Sequence, residues 1–139
     1  MRVMGLDIGK KTIGVALSDP AGITAQPVTT IKRTTLSKDM EEVLGLAAEH
    51  EVTSIVAGLP LNMDGSRSPQ TEFVLKFLEK LKERTDMPVK TWDERLSTVA
   101  VERLLIEGEM RREKRKEVVD KLAAAYILQG YLDSIRRAG

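Results

Sequence analysis

The sequence predicts an α/β domain: a mixed five-stranded sheet, three antiparallel strands then two parallel ones, flanked by helices. Three observations lead there. Strand signals at 2–8, 12–18 and 24–32 are separated by breaks short enough for hairpins. Helical spacing then alternates with two further strand signals, at 53–58 and 88–92. No internal repeat, low-complexity segment or linker interrupts the 139 residues, so one domain over 1–139 is expected.

The first strand carries an apolar run into a lone acid, Met1-Arg-Val-Met-Gly-Leu-Asp7-Ile-Gly9. Gly9 allows a tight turn, and Ile13, Val15 and Leu17 alternate along the returning strand. A helix follows, with Ser37 as its expected cap and Met40, Val43, Leu44 and Ala47 at helical spacing. Thr53-Ser-Ile-Val-Ala-Gly58 shows little alternation, as expected of a parallel strand covered on both faces. A loop from Gly58 to Arg67 leads to Ser68-Pro69, with proline at the first position of a second helix. Val74, Phe77, Leu78 and Leu81 form its buried stripe. Pro88 to Trp92 is the fifth strand. A helix from about Thr98 is expected to bury Val101, Leu104 and Leu105 and to end at Gly108. A basic segment then leads into a final helix at roughly 117–136. Crossovers between parallel strands are right-handed. The C-terminal ends of strands one, four and five should therefore share one rim.

Composition removes several function classes. The net charge is 22 − 21 = +1, so any affinity for nucleic acid must come from a local surface. With no cysteine there is no disulfide, zinc-thiolate or iron–sulfur site and no thiol chemistry. Met-Arg-Val runs straight into a strand, and the apolar run Leu122–Leu128 is too short to span a bilayer. No signal peptide and no membrane partner are expected, and a cytoplasmic location is the default. Aromatic residues make up 4%, too few for a base-stacking platform.

Three acids stand out by context. Asp7 ends the first strand, Asp93-Glu94 ends the fifth, and Asp120 lies near the start of the last helix beside Leu122-Ala-Ala-Ala125. A carboxylate at the end of a core strand is costly unless a cation or hydrogen bonds compensate it. Carboxylates from separate elements meeting at one rim suit Mg²⁺ or Mn²⁺, which prefer hard oxygen ligands. A pair of such ions serves phosphoryl displacement without a side-chain nucleophile. Each acid also has a plainer reading. Asp7 would cap its own turn, Glu94 would pair with Arg95 at the surface, and Asp120 would favour the helix dipole. Arg111, Arg112, Lys114, Arg115 and Lys116 form the densest positive run, either a phosphate-tracking segment or a solvated face. Lying between two helices, that run is expected to be mobile without nucleic acid. Lys10, Lys11, Asn62, Arg67 and Arg95 complete the expected nucleic-acid contacts.

Four segments occur together in order: Gly5-Leu-Asp7-Ile-Gly9 with Ile13-Gly14-Val-Ala-Leu-Ser18-Asp19; Gly58-Leu-Pro60-Leu-Asn62-Met-Asp64-Gly65; Trp92-Asp93-Glu94-Arg95-Leu96-Ser97-Thr98; and Asp120-Lys-Leu-Ala-Ala-Ala. In these the chain resembles the YqgF/RuvX family over nearly its whole length. The resemblance implies a ribonuclease-H-like fold and a metal-dependent nuclease acting on RNA, branched DNA or both. Family members are described as Holliday junction resolvases, and bacterial ones are implicated in maturing the 5′ end of pre-16S ribosomal RNA. The family's acidic triad carries over to Asp7, Glu94 and Asp120 as catalytic and metal-binding residues. Two departures are visible. Thr12 stands near a position where many relatives carry arginine, and the last motif offers one acid where RuvC resolvases usually supply two. Two other functions compete with the nuclease. One is a catalytically silent nucleic-acid-binding or ribosome-assembly factor. The other is an actin-like nucleotide-binding module, whose first phosphate motif resembles Asp7-Ile-Gly9. A monomer or weak homodimer is expected, and junction resolution would require the dimer.

Overall fold

The three hairpin strands form as β1 (Arg2–Ile8), β2 (Thr12–Ser18) and β3 (Ala25–Lys32). They are followed by α1 (Leu36–Glu49), β4 (Val52–Leu59), α2 (Pro69–Lys82), β5 (Val89–Asp93) and a 3-10 turn over Glu94–Leu96. A long helix, α3, covers Arg112–Ala138. The structure, a computed structural model, describes residues 2–96 and 112–138. The helix expected from Thr98 to Gly108 lies outside the described residues, as does Arg111. Strand order is β3-β2-β1-β4-β5. β1, β2 and β3 pair antiparallel, while β4 runs parallel to both β1 and β5.

Alternation along the strands divides the molecule into three layers. Met4, Leu6 and Ile8 of β1, with Ile13, Val15 and Leu17 of β2, face α1 and α2. Met40, Val43 and Ala47 of α1 and Val74, Phe77, Leu78 and Leu81 of α2 close that core. Each large apolar side chain buried there contributes roughly 1.5–3 kcal/mol. Val3, Ala16 and Val56 point the other way and meet Ala124, Ala125, Leu128 and Leu132 of α3. By the same parity Gly5 and Asp7 belong to this second face.

The second face is thin because its residues are small. A Cβ on Gly5 would stand 2.7 Å from Leu128 Cβ and 2.9 Å from the Ala124 carbonyl oxygen. On Gly14 it would stand 2.0 Å from the Asp120 carbonyl oxygen. The backbone of α3 therefore lies directly on β1 and β2. Gln129 anchors the helix at the far edge, accepting from the Ala25 N–H at 2.9 Å and donating to the Ile23 carbonyl at 2.9 Å.

Three boundaries differ from expectation. Thr35, not Ser37, caps α1, its hydroxyl accepting the Lys38 N–H at 3.2 Å. Pro88 stays outside β5 but its carbonyl accepts the Ile55 N–H at 2.9 Å. This suits a residue that lacks an N–H of its own. The last helix starts at Arg112 rather than near 117, so the basic run from Arg112 to Lys116 is helical backbone and not an inter-helix loop. Glu, Lys and Arg are good helix formers, and no Gly or Pro stands in that stretch to stop the helix. Ser68 and Pro69 start α2 as expected, and Thr71 completes a reciprocal cap with Ser68. Among the described residues no helix is long and apolar enough to cross a membrane.

Two glycine substitutions should have opposite signs. Gly14→Ala drives a methyl into the α3 backbone and should cost about 1–3 kcal/mol or more. Gly45→Ala, in exposed α1 with nothing within 4 Å of the new methyl, should stabilise by about 0.5–1 kcal/mol. Urea unfolding of the two variants checks both. Equal effects would mean that α3 does not need the close approach.

Candidate active site

The expected rim exists. β1, β4 and β5 are mutually parallel, and their C-terminal ends lie side by side through the pairs Leu6↔Ala57 and Leu59↔Asp93. Asp7 pairs with Gly14 across the hairpin. Gly14 is also where α3 presses closest, against the backbone of Asp120. Cross-strand partners are about 4.5–5.5 Å apart, so this packing brings Asp120 over Asp7. Glu94 opens the 3-10 turn immediately after β5. Its carboxyl carbon lies 3.2 Å from where a Gly58 Cβ would stand, so that glycine leaves the room the side chain occupies.

A cleft of about 190 Å³ results, lined by Asp7, Glu94 and Asp120 together with Gly9, Gly58 and Gln70. The three acids arrive from β1, from the end of β5 and from α3. Asp120 is more than two turns inside its helix, beyond the first-turn reach of the dipole. Its carboxylate Oδ2 accepts the Thr12 hydroxyl hydrogen. Asp93, the neighbour of Glu94, turns away from the cleft and takes Arg95 as its partner at 2.7 Å. Hydrogen bonding from the Arg95 side chain holds the Asp93 carboxyl below its ordinary pKa. Asp93 is thus a surface partner of Arg95. Among the described residues, no three His, Cys, Asp or Glu side chains are drawn together tightly enough to enclose an ion. His50 caps α1 at the opposite end of the sheet, its carbonyl accepting from Arg2 at 3.4 Å.

The expected nucleic-acid contacts divide into groups. Lys10 and Lys11 are exposed on the hairpin turn beside Asp7. Asn62 is exposed but donates to Ser66 Oγ at 2.9 Å, holding its own loop together. Arg67 meets Glu72 at 3.5 Å. Both side chains are well exposed, so this pair stabilises little. Arg95 is committed to Asp93 and to the Met63 carbonyl. Arg112, Lys114, Arg115 and Lys116 lie in the first turns of α3, upstream of Asp120.

Sequence reasoning missed three contributors. Thr12 holds Asp120; the sequence marks it only as a departure from the arginine many relatives carry, with no sign of this bond. Gln70 lines the cleft and donates to the Ile8 carbonyl at 3.4 Å. Arg33 donates to the Gly9 carbonyl at 2.9 Å and so reaches the cleft's turn from β3's end. Gly14 did carry a signal, since glycine inside an apolar strand marks close backbone approach.

A family model described as "RuvX: Holliday junction resolvase" matches residues 1–134. A protein of Desulforamulus reducens is 58% identical over 134 residues, covering 96% of this chain and 98% of the relative. One from Clostridium kluyveri is 56% identical over 137 residues, covering 99% and 100%. Both bear the name "Putative pre-16S rRNA nuclease". Among solved structures, Thermus thermophilus RuvC in complex with a Holliday junction substrate superposes with a TM-score of 0.61 at 13% identity, covering 98% of this chain and 96% of that one. The Fowlpox virus resolvase bound to junction DNA gives 0.54 at 12% identity, covering 97% and 99%. At such identity these two show a shared architecture, the ribonuclease-H-like fold. The match over residues 1–134 and the two relatives above 50% identity settle the rest: the chain belongs to the RuvX family.

Proposed function

We propose that this chain is a divalent-metal-dependent endonuclease that hydrolyses phosphodiester bonds in structured nucleic acid. The 5′ end of pre-16S ribosomal RNA is its main substrate and four-way DNA junctions are a second. The observation that carries this reading is the single cleft lined by Asp7, Glu94 and Asp120 from three separate elements. The names of the relatives and of the family support the substrate classes.

The donor set suits Mg²⁺ or Mn²⁺ in kind, since three carboxylates offer hard oxygen and no sulfur or imidazole lines the cleft among the described residues; binding an ion would draw the three side chains closer than they stand. At about 30 Å³ per water, a cleft of 190 Å³ leaves room for an ion and several of its waters. Asp7, Glu94 and Asp120 would hold the metal, and bound there, one or two ions would stabilise charge on the attacking and leaving oxygens. Thr12 orients the Asp120 carboxylate through its hydroxyl. Lys10 and Lys11, exposed at the cleft's edge, attract the phosphate chain, and the basic first turns of α3 extend that attraction upstream. One such site suffices for trimming an RNA end, whereas resolving a junction takes two and hence a dimer. The protein acts in the cytoplasm on this reading, as monomer or weak homodimer.

The deciding experiment is cleavage of matched pre-ribosomal RNA and junction substrates with Mg²⁺ or Mn²⁺. Asp7→Asn should keep the fold and lose more activity than the roughly 10–100-fold typical of an outer-shell partner. Cleavage at the wild-type single-turnover rate would reduce Asp7 to a turn residue. Binding without cleavage by the wild type would favour a silent assembly factor.

Thr12→Val deletes only the hydroxyl that holds Asp120. It should lower metal affinity by about 10–100-fold, read as a higher Mn²⁺ requirement, with little change in melting temperature. An unchanged metal requirement would make Thr12 a bystander.

Replacing Arg111, Arg112, Lys114, Arg115 and Lys116 with Gln tests the grip. If all five contact phosphates, duplex binding weakens with salt at a log–log slope of about −4.5. The five-Gln variant should flatten that slope while leaving the metal requirement alone. An unaltered slope would move the binding surface to Lys10, Lys11 and Arg67.

A further inference from the structure

The loop between β4 and α2 is held from two directions. Within itself, the Asn62 N–H donates to the Ser66 carbonyl at 3.0 Å, and the Gly65 N–H to the Asn62 carbonyl at 2.8 Å. Asp64 accepts from the Ser66 N–H at 2.9 Å and from its hydroxyl at 2.6 Å. From outside, Arg95 Nη1 donates to the Met63 carbonyl at 3.1 Å. Gly65, at φ 89°, presents no side chain where that guanidinium lies. The other edge of the same guanidinium grips Asp93: Nη2 donates to Oδ2 at 2.7 Å, and Nε lies 3.1 Å from both carboxylate oxygens. The Arg95 backbone N–H also donates to Asp93 Oδ1, at 3.0 Å. Glu94 sits between these two gripped residues, on the short turn over Glu94–Leu96.

We propose that Arg95 is a positioning residue. Through Asp93 and the Met63 carbonyl it locks the β4–α2 loop to the end of β5, and so fixes the turn from which Glu94 enters the cleft. The inference rests on Glu94 being a site acid, and it assigns Arg95 a role other than phosphate binding. Geometry separates the two roles. A phosphate ligand keeps its fork open toward the substrate, whereas this guanidinium already gives Nε and Nη2 to Asp93 and Nη1 to a main-chain carbonyl. Lysine, a point charge, reproduces neither edge. The two roles also make opposite demands on Asp93. Beside a phosphate-binding arginine an acid competes with the substrate, and removing it tightens binding. In a clamp the acid is half of the lock, and removing it releases the loop.

The test uses Arg95→Gln, Arg95→Lys and Asp93→Asn in the full chain, with three readouts. These are amide hydrogen exchange at Asn62, Gly65 and Ser66, salt-dependent binding of a labelled four-way DNA junction in chelator, and the single-turnover rate with Mn²⁺. The clamp predicts faster exchange at those amides in all three variants. It predicts a single-turnover rate lowered about 10–100-fold, no rescue by lysine, and a binding slope that stays at the wild-type value. A slope flattened by about one in Arg95→Gln and restored in Arg95→Lys, with loop exchange unchanged, would overturn the clamp. So would tighter binding and full activity in Asp93→Asn. If the wild type cleaves no substrate, the nuclease reading fails on its own. The exchange data still decide the clamp: faster loop exchange in the three variants supports it, and unchanged exchange overturns it.

Discussion

The close approach of α3 to β1 and β2 is the constraint on which the rest of the structure depends. At Gly5 and Gly14 a single added carbon would collide with the helix. One sheet face carries a thick layer of Leu, Ile, Val, Met and Phe under two helices. The other is built from Val3, Gly5, Gly14 and Ala16, under a helix that presents Ala124 and Ala125. Packing at native density tolerates no gap, so a thin sheet face draws the helix inward. The chemistry follows from that approach. Asp7 stands opposite Gly14, and Asp120 is the helix residue whose backbone touches Gly14. Two carboxylates far apart in sequence meet because glycine lets one backbone rest on another.

A second constraint holds the other side of the cleft. Asp39 is only 2% exposed and meets Arg33 Nε at 3.0 Å. The Arg33 guanidinium lies 5.2 Å from the ring centres of both Phe73 and Phe77, and it also donates to the Gly9 carbonyl. A buried ion pair is weak evidence for net stability, since desolvation offsets most of the attraction. Each cation–π contact adds on the order of 0.5–2 kcal/mol. The stronger consequence is placement. One guanidinium joins the first turn of α1, the face of α2 and the hairpin turn that carries Lys10 and Lys11. The position of Gly9 is thereby fixed from the core as well as by the hairpin, where its N–H donates to the Thr12 carbonyl at 2.9 Å.

The features legible in the sequence were those with a local cause. Strand alternation, the Ser68-Pro69 helix start and the two hairpins depend on near neighbours, and they appear within a residue or two of expectation. The three acids were legible through context: a carboxylate ending a core strand, another ending an outer strand, and a third beside a run of alanines. Features with a distant cause stayed hidden. Thr12 reads only as a departure from the relatives' arginine until Asp120 lies across it. Arg33 and Asp39 read as surface charges until Phe73 and Phe77 enclose the guanidinium. Whether Arg95 pairs with Asp93 or Glu94 is left open by sequence, because adjacency favours neither. The turn after β5 decides it, sending Glu94 inward and Asp93 outward. The start of the last helix was placed late because a basic run reads as loop by charge, although its residues favour helix.

Charge near the cleft is distributed in a way that bears on how a polyanion would approach three carboxylates. Arg33 and Arg95 are committed to Asp39 and Asp93. Among the described residues Arg67 has a weak, exposed pairing with Glu72, which it can exchange for phosphate. The cations at the hairpin turn are lysines, whose flexible point charges suit a moving phosphate chain better than a fixed fork. Further positive charge stands on the backbone of α3, at Arg112, Lys114, Arg115 and Lys116, spaced by helix geometry. Arg112 precedes Asp120 by about 12 Å of helix axis at 1.5 Å per residue. On the proposed function that distance matters. Phosphates on one duplex strand are spaced about 3.4 Å apart, so the basic turns, from Arg112 to Lys116, would lie roughly two to four nucleotides from a bond placed at Asp7, Glu94 and Asp120. Attraction would then be applied both beside the acids, at Lys10 and Lys11, and upstream of them. On the proposed function, this would allow a chain of net charge +1 to bring a polyanion to a negatively charged cleft.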